Sequence, residues 1–332
     1  MSTALTGSDA APAATYDVAL LDLDGVVNVG DEAAPFAVDA LAEARDRGIR
    51  TAYITNNASR SAAAVAARLS GLGLEATAED VVTSAQAAAR LLADRLPAGT
   101  AVLVAGAAAL RDEVTAAGLR VVDDAAAGPA AVVMGYDPEI TYHRLAEASL
   151  AIRNGALFVA SNLDATLPTP RGSLPGMGAL AALVVTATGT NPVVAGKPAQ
   201  ALFDESVGRT GATRPLVVGD RLDTDIAGAK SAGIPAMTVL TGVTDLLALA
   251  TARPSQRPDL VAVDLRGLNV SHPAAVDGHS GAAVAEYDAA SRAIVIRRPG
   301  EGPETLAALV TAGWQAVDAG HEVQSVESLQ IG

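Results

Sequence analysis

An apolar run that ends in two carboxylates, Val18-Ala19-Leu20-Leu21-Asp22-Leu23-Asp24-Gly25, constrains this chain more than any other segment. Four apolar residues in a row read as a strand covered on both faces, the kind that parallel sheets contain. Bringing two anions together at the end of such a strand costs free energy unless something positive or reactive is held there. The Asp-Leu-Asp alternation puts both acids on one side of an extended segment and turns Leu23 inward. Gly25 then permits a sharp exit. A divalent cation and a phosphoryl group are the occupants that suit this arrangement.

Downstream, strands and helices alternate. The spacing predicts a helix over 36–47 closed by Gly48, a strand over Arg50–Thr55, a helix over 61–70 and another over 80–96 stopped by Pro97 and Gly99. This alternation predicts a parallel sheet with helices on both faces. A similar α/β pattern follows with different chemistry: strands at Ala101–Ala105, 130–135 and Leu157–Ala160, and helices at 108–117, 141–154 and 176–188, the last after a Pro- and Gly-rich loop at 166–175. None of these strands ends in a carboxylate pair. The first style then resumes, with a helix over 198–207, a strand over 215–218 tipped by Asp220, a helix over 225–232, and strands at 236–240 and 260–263. The chain therefore divides into a flexible leader at 1–15, a core from 16–86 and 190–270, an inserted α/β domain at 87–189, and a small α+β extension at 271–332. In the extension, 281–287 and 291–297 read as a hairpin and 304–317 as a helix. With no cluster of catalytic residue types, it reads as an appended packing module.

At 332 residues, half of them apolar, the chain is long enough for two domains or more. A net charge of −14 and few aromatics disfavour nucleic acid or an anionic bilayer as the main partner. There is no Cys, which excludes disulfides, thiol nucleophiles and thiolate zinc sites. His143, His272, His279 and His321 lack ligand spacing, so a metal site would be oxygen-based, which favours Mg²⁺. The Ala-, Thr- and Pro-rich start has no basic flank and does not read as a signal peptide. Without a membrane-length apolar stretch, the expected location is the cytoplasm.

The chemistry-bearing groups fall at the C-terminal ends of strands, where open α/β folds place ligands. Asp22 is the candidate nucleophile: a carboxylate beside a divalent cation can attack phosphorus and form an aspartyl-phosphate. Asp24, two residues on, is placed to protonate the leaving oxygen and then to take a proton from water. Asp220 supplies further negative charge for Mg²⁺, and the Asp24 backbone carbonyl a further oxygen. Asp225, with Arg221 in the same loop, supports the metal site. Taken alone, Asp-x-Asp also suits a calcium site or a turn. Thr55, Asn56 and Asn57 form a turn able to clasp phosphoryl oxygens, though an N-cap cluster with Ser59 as the cap explains them equally. Lys197, just before Pro198 and an anion-favouring helix start, is the candidate phosphate cation. Arg60 faces either substrate or solvent.

Together, Asp22-Leu23-Asp24-Gly25, Thr55-Asn56-Asn57, Gly196-Lys197-Pro198 and Gly219-Asp220-Arg221-Leu222-Asp223-Thr224-Asp225 resemble the four motifs of haloacid-dehalogenase-type phosphatases. The large insertion between Asn57 and Lys197 resembles the NagD-like subgroup with an α/β cap, and the match spans about 17–268. The resemblance implies a Rossmann-like core, a cap that is mobile or held by a homodimer, and Mg²⁺-dependent phosphomonoester hydrolysis. It implies the roles given above for Asp22, Asp24, Thr55, Asn56, Lys197, Asp220 and Asp225. The segment from Ala160 to Pro168 resembles the subgroup's substrate-facing loop, making Asn162, Asp164 and Thr166 candidate specificity residues with Arg60. That loop lacks a stacking aromatic or an imidazole, which favours a small polyol phosphate over a pyridoxal ring. The whole chain, extension included, resembles actinobacterial glycerol-phosphate phosphatases. The competing readings are a broader phosphatase of nucleotides, sugar phosphates or pyridoxal phosphate, a phosphomutase, and a non-catalytic interaction module on a phosphatase fold.

Overall fold

The computed structural model describes residues 4–169 and 171–328. They form two compact units, one built from the chain up to Ala52 and from Ala212 onward, the other from Tyr53–Gly211. Residues 1–3 of the expected leader, Pro170 of the expected loop and 329–332 of the expected extension lie outside the described residues.

The first unit is organised by parallel strands in the order Leu260–Ala262, Ala236–Val239, Pro215–Gly219 and Val18–Asp22. Ala19, Leu20, Leu21, Leu216, Val217 and Val218 are fully buried, which is why these strands read as apolar runs without alternation. Leu20 pairs with Val217 and Leu21 with Val218, so the strands of Asp22 and Asp220 end side by side. The strand Arg50–Thr55 begins here, its Arg50 amide donating to the Asp17 carbonyl at 2.9 Å.

The rest of the first unit corrects two expectations. Residues 4–15 are not a loose leader: Ala4–Leu5 pairs antiparallel with Ala275–Val276, Ser8 and His272 exchange backbone hydrogen bonds of 2.7 and 2.9 Å, and Pro12–Thr15 is helical. Burial of Leu5 and Ala13 holds the segment down. The second correction concerns the C-terminal segment, whose hairpin Ala283–Asp288 and Ala293–Arg298 belongs to a six-stranded sheet with Ala4–Leu5, Ala275–Val276, His279–Ser280 and Ser325–Val326. Its helix Gly302–Asp318 is buried along two faces. Leu306, Val310 and Trp314 meet Leu5, Leu249 and Val261, whereas Ala308, Leu309 and Ala312 meet Ala283, Ala285 and Ile294. The Trp314 indole donates to the Leu249 carbonyl at 2.8 Å. Gly313 permits this approach, since a Cβ there would overlap Ala250. This segment completes the core of the unit.

In the second unit, Tyr53–Thr55 pairs parallel with Val81–Thr83. A five-stranded parallel sheet follows in the order Val193–Val194, Leu157–Ala160, Ala131–Met134, Ala101–Ala105 and Arg120–Val122. Helices Ala108–Ala116, Tyr142–Arg153 and Met177–Thr188 lie where the periodicity places them. The expected helix over 80–96 is instead a turn, a strand and a shorter helix, Ser84–Ala93. The Asp80 carboxylate accepts the Thr77 amide proton at 3.0 Å and closes the turn. Buried Val81 and Val82 pair in the sheet, and Thr83 with Gln86 forms the capping box that starts the helix. The expected loop over 166–175 is a hairpin, Thr166–Thr169 against Gly172–Pro175. No helix among the described residues is long and apolar enough to cross a membrane.

Candidate active site

In the first unit, Asp22, Asp220 and Asp225 each bring a carboxylate oxygen within 4.8 Å of the others. The strand register is the cause: Asp22 ends one strand and Asp220 directly follows its paired neighbour, and the turn Leu222–Ile226 folds Asp225 back beside them. Asp220 and Asp225 are fully buried and Asp22 is half-buried.

Backbone amides orient the two buried acids. Asp220 Oδ2 accepts from the Val243 amide at 2.7 Å, and Asp225 Oδ2 accepts from the Arg221 amide at 3.1 Å. Three glycines make room. A Cβ on Gly25 or Gly242 would overlap Asp220 Oδ2, and one on Gly219 would lie 2.6 Å from Asp225 Oδ2. Gly25 also has φ +90°, and its carbonyl accepts from the Thr241 hydroxyl at 2.5 Å. Three carboxylates so close repel one another, and an all-oxygen donor set of this charge fits a hard divalent cation. The Asp225 carboxylate therefore stands in the cluster itself. The Arg221 guanidinium pairs with exposed Asp223 at 3.1 Å, while the Arg221 backbone amide holds Asp225.

Asp24 is exposed, and the buried Asn28 side chain donates to its Oδ1 at 2.8 Å. The Gly25 amide donates to the Asn28 carbonyl at 2.7 Å, closing the loop that aims Asp24. Asn28 escaped the sequence reading, although an amide within Val26-Val27-Asn28-Val29 is the kind of polar interruption that marks such a role.

The second unit gathers the remaining candidates. Thr55 ends its strand, and its Oγ1 accepts the Asn57 amide proton at 3.1 Å. Asn57 Oδ1 accepts from the Ser59 amide and hydroxyl at 2.8 and 2.7 Å, a local Asx turn. Ser61, not Ser59, caps the following helix Ala62–Gly71, accepting from the Ala64 amide at 3.2 Å. Asn56 contacts both Lys197 and the 160–168 segment. Its Oδ1 accepts the Lys197 amide proton at 2.8 Å, and its Nδ2 donates to the Lys197 carbonyl and to Asp164 Oδ2, both at 3.1 Å.

Asn162, expected to face the substrate, is 4% exposed. It donates to the Asn56 carbonyl at 2.6 Å and accepts the Asp164 amide proton at 3.0 Å. Lys197 is buried. It lies farther from its helix than expected, because Ala199 closes a turn back to Gly196 and the helix begins at Gln200. Arg60 and Thr166 are exposed.

Comparison with known proteins agrees with this geometry. Residues 19–120 match the model of the haloacid dehalogenase-like hydrolases, and 194–268 a second HAD-hydrolase-like model. The chain is 52% identical over 254 residues to the D-glycerol 3-phosphate phosphatase of Mycobacterium tuberculosis, covering 76% of this chain and 71% of that one. It is 37% identical over 231 residues to an acid sugar phosphatase of Staphylococcus saprophyticus, covering 69% and 88% of the two chains. A crystal structure of an M. tuberculosis glycerol phosphate phosphatase in complex with magnesium superimposes with a TM-score of 0.86 at 43% identity, covering 97% and 96%. With that likeness running through the aspartate-bearing strands and the C-terminal sheet alike, the chain belongs to the haloacid dehalogenase-like hydrolases.

Proposed function

We propose that this protein is a Mg²⁺-dependent phosphomonoester hydrolase acting on glycerol 3-phosphate or a close small polyol phosphate. The observation that carries the reading is the meeting of Asp22, Asp220 and Asp225 within 4.8 Å, a trianionic oxygen site at the ends of two adjacent parallel strands. Those three residues would hold Mg²⁺, with the Asp24 backbone carbonyl as a further donor. Bound there, the ion supplies charge neutralisation for an approaching phosphate dianion.

Asp22 attacks phosphorus and becomes the aspartyl-phosphate, and the leaving alkoxide takes a proton from Asp24. Asp24 then removes a proton from the water that hydrolyses the acyl phosphate. Its exposure and its hydrogen bond from Asn28 suit a group that must exchange protons while keeping one orientation. In this reading Thr55, Asn57 and Lys197 hold phosphoryl oxygens. Asn56 sets the Lys197 backbone, Asp225 also orients the 221–226 turn, and Arg60, Asp164 and Thr166 stand on the leaving-group side. The same reading assigns 16–86 and 190–270 to the catalytic core, 87–189 to a cap and 271–332 to an extension, in a cytoplasmic homodimer.

The substrate assignment is supported by the M. tuberculosis relative, a D-glycerol 3-phosphate phosphatase, and by the polar 160–168 segment without an aromatic. Phosphate release from a panel of glycerol, sugar, nucleoside and pyridoxal phosphates, with Mg²⁺ and with chelator, tests the reading. Glycerol 3-phosphate should give the highest kcat/KM, and Asp22→Asn should lose at least roughly 10²-fold in rate. Equal release from Asp22→Asn, or no dependence on Mg²⁺, would defeat the mechanism. A flat ranking would defeat the substrate assignment alone.

A further inference from the structure

We propose that Asn56 is a positioning residue whose side-chain amide fixes the backbone of Lys197 and makes that placement depend on Asp164. The inference rests on the phosphatase reading above, in which Lys197 grips the phosphoryl group.

Geometry assigns the orientation of the amide. Lys197 presents its N–H at 2.8 Å from one end of the amide and its carbonyl at 3.1 Å from the other. Reversing the amide would set NH₂ against N–H and oxygen against oxygen, so Oδ1 must face the Lys197 amide. The second Nδ2 hydrogen is then committed to Asp164 Oδ2 at 3.1 Å. Both donors and one acceptor site of the side chain are spent, leaving the Asn56 amide no donor for a phosphoryl oxygen.

The surrounding residues hold the Asn56 backbone just as firmly. Its carbonyl accepts from Asn162 Nδ2 at 2.6 Å and from the Ser84 hydroxyl at 2.5 Å. Gly196 lets the lysine turn come this close, since a Cβ there would lie 2.5 Å from both Asn56 Oδ1 and the Ser161 carbonyl. Asn162 also accepts the Asp164 amide proton, so it seats Asp164 where Asn56 can reach it. Lys197 thus sits in a polar frame to which the 160–168 segment contributes the Asp164 carboxylate through Asn56. A leaving group that draws Asp164 away frees one Nδ2 hydrogen and loosens the frame, while one that leaves Asp164 seated keeps it. Discrimination between leaving groups is thereby read out as grip on phosphate.

The test uses the full-length enzyme with Mg²⁺. It measures the inhibition constant of inorganic phosphate together with kcat and KM on glycerol 3-phosphate. Asn56→Asp places an acceptor against the Lys197 carbonyl and against Asp164. It should weaken phosphate inhibition and raise KM by roughly tenfold or more, while kcat falls by a smaller factor. Asp164→Ala should weaken phosphate inhibition several-fold, and Asp164→Asn, whose amide oxygen still accepts from Asn56, should recover most of that loss. Phosphate inhibition within twofold of the parent in Asn56→Asp would overturn the proposal, as would Asp164→Asn binding phosphate no better than Asp164→Ala. Should Asn56→Asp fail to fold by circular dichroism, the two Asp164 variants decide. A parent enzyme that released phosphate from no ester would overturn the function and this inference together, whereas an active parent with unmoved variants overturns the Asn56 assignment alone.

Discussion

Arg257 donates to both carboxylate oxygens of Asp318, at 2.8 and 2.6 Å, from a position only 3% exposed. Its guanidinium also lies 5.2 Å from the Trp314 ring centroid, and its Nε donates to the Ala252 carbonyl at 3.1 Å. A loop of the α/β layer and the last turn of the C-terminal helix are thus joined by a planar, bidentate clamp. Replacing Asp318 by Asn leaves the buried cation with a neutral partner and should cost about 2 kcal/mol in urea unfolding. The guanidinium's hydrogen bonds also hold the Asp318 carboxyl below its ordinary range. The folded state therefore keeps this proton off more readily than the unfolded chain. Its contribution is present above the unfolded value of about 3.9 and is lost as pH falls through the folded one. Asp318→Asn should flatten the acid side of the stability profile below about pH 4, and an unchanged profile would refute the clamp's role.

Removal of residues 271–332 should not leave a working core. Trp314 is fully buried against Leu249 and Val261, residues that the deletion would expose to water together with Leu5. The truncated chain is expected to aggregate or to bind a hydrophobic dye when expressed. A milder test is Trp314→Ala, which should cost about 3–5 kcal/mol by cavity formation and by loss of the hydrogen bond to the Leu249 carbonyl. A truncated monomer with a parental melting temperature would return the segment to the status of an appendage.

The parts of this molecule legible in the sequence are those in which a local rule and the tertiary structure agree. Arg50–Thr55, Ala101–Ala105 and Leu157–Ala160 are apolar or β-branched runs bounded by breakers, and each is a strand over those residues. Val81–Thr83 was hidden because three strand residues sit between two capping boxes inside a stretch rich in helix formers. Residues 4–15 read as a leader because alanine, serine and proline carry no periodicity; only the partner strand 270 residues away gives Ala4–Leu5 its structure. The acids were legible by spacing, yet spacing does not reveal direction. Nothing in the text Asn56-Asn57 tells which amide faces a lysine backbone and which closes its own turn.

Gly242 is expected to be as sensitive as an acid. A methyl group there would overlap the Asp220 carboxylate, whose Oδ2 is already fixed by the adjacent Val243 amide. Gly242→Ala should push Asp220 out of register with Asp22 and Asp225. The expected result is a loss of roughly tenfold or more in Mg²⁺ affinity, read as the concentration giving half-maximal phosphate release, with a folded far-UV spectrum. A parental Mg²⁺ requirement in Gly242→Ala would show that Asp220 is not positioned for metal by this contact.

His272 supplies a pH dependence within the same unit. Its ring is buried, Nε2 lies 2.8 Å from the Gly267 carbonyl, and its backbone bridges to Ser8. Burial outweighs the opposing backbone hydrogen bonds of Gly267 and Val261 and holds the imidazole below its ordinary range, so the folded state binds its proton less readily than the unfolded chain does. The sign follows: the contribution is full above the unfolded value of about 6.5, and stability falls as pH drops below it toward the folded value. The parent should therefore unfold at lower urea at pH 5.5 than at pH 7.5. His272→Gln, which keeps a neutral donor without a proton to gain, should narrow that difference. Because the His272 backbone holds Ser8, the protection factors of the amides at residues 4–8, corrected for the intrinsic pH dependence of exchange, should fall at pH 5.5 in the parent alone. An equal pH effect in both proteins would remove His272 as its source.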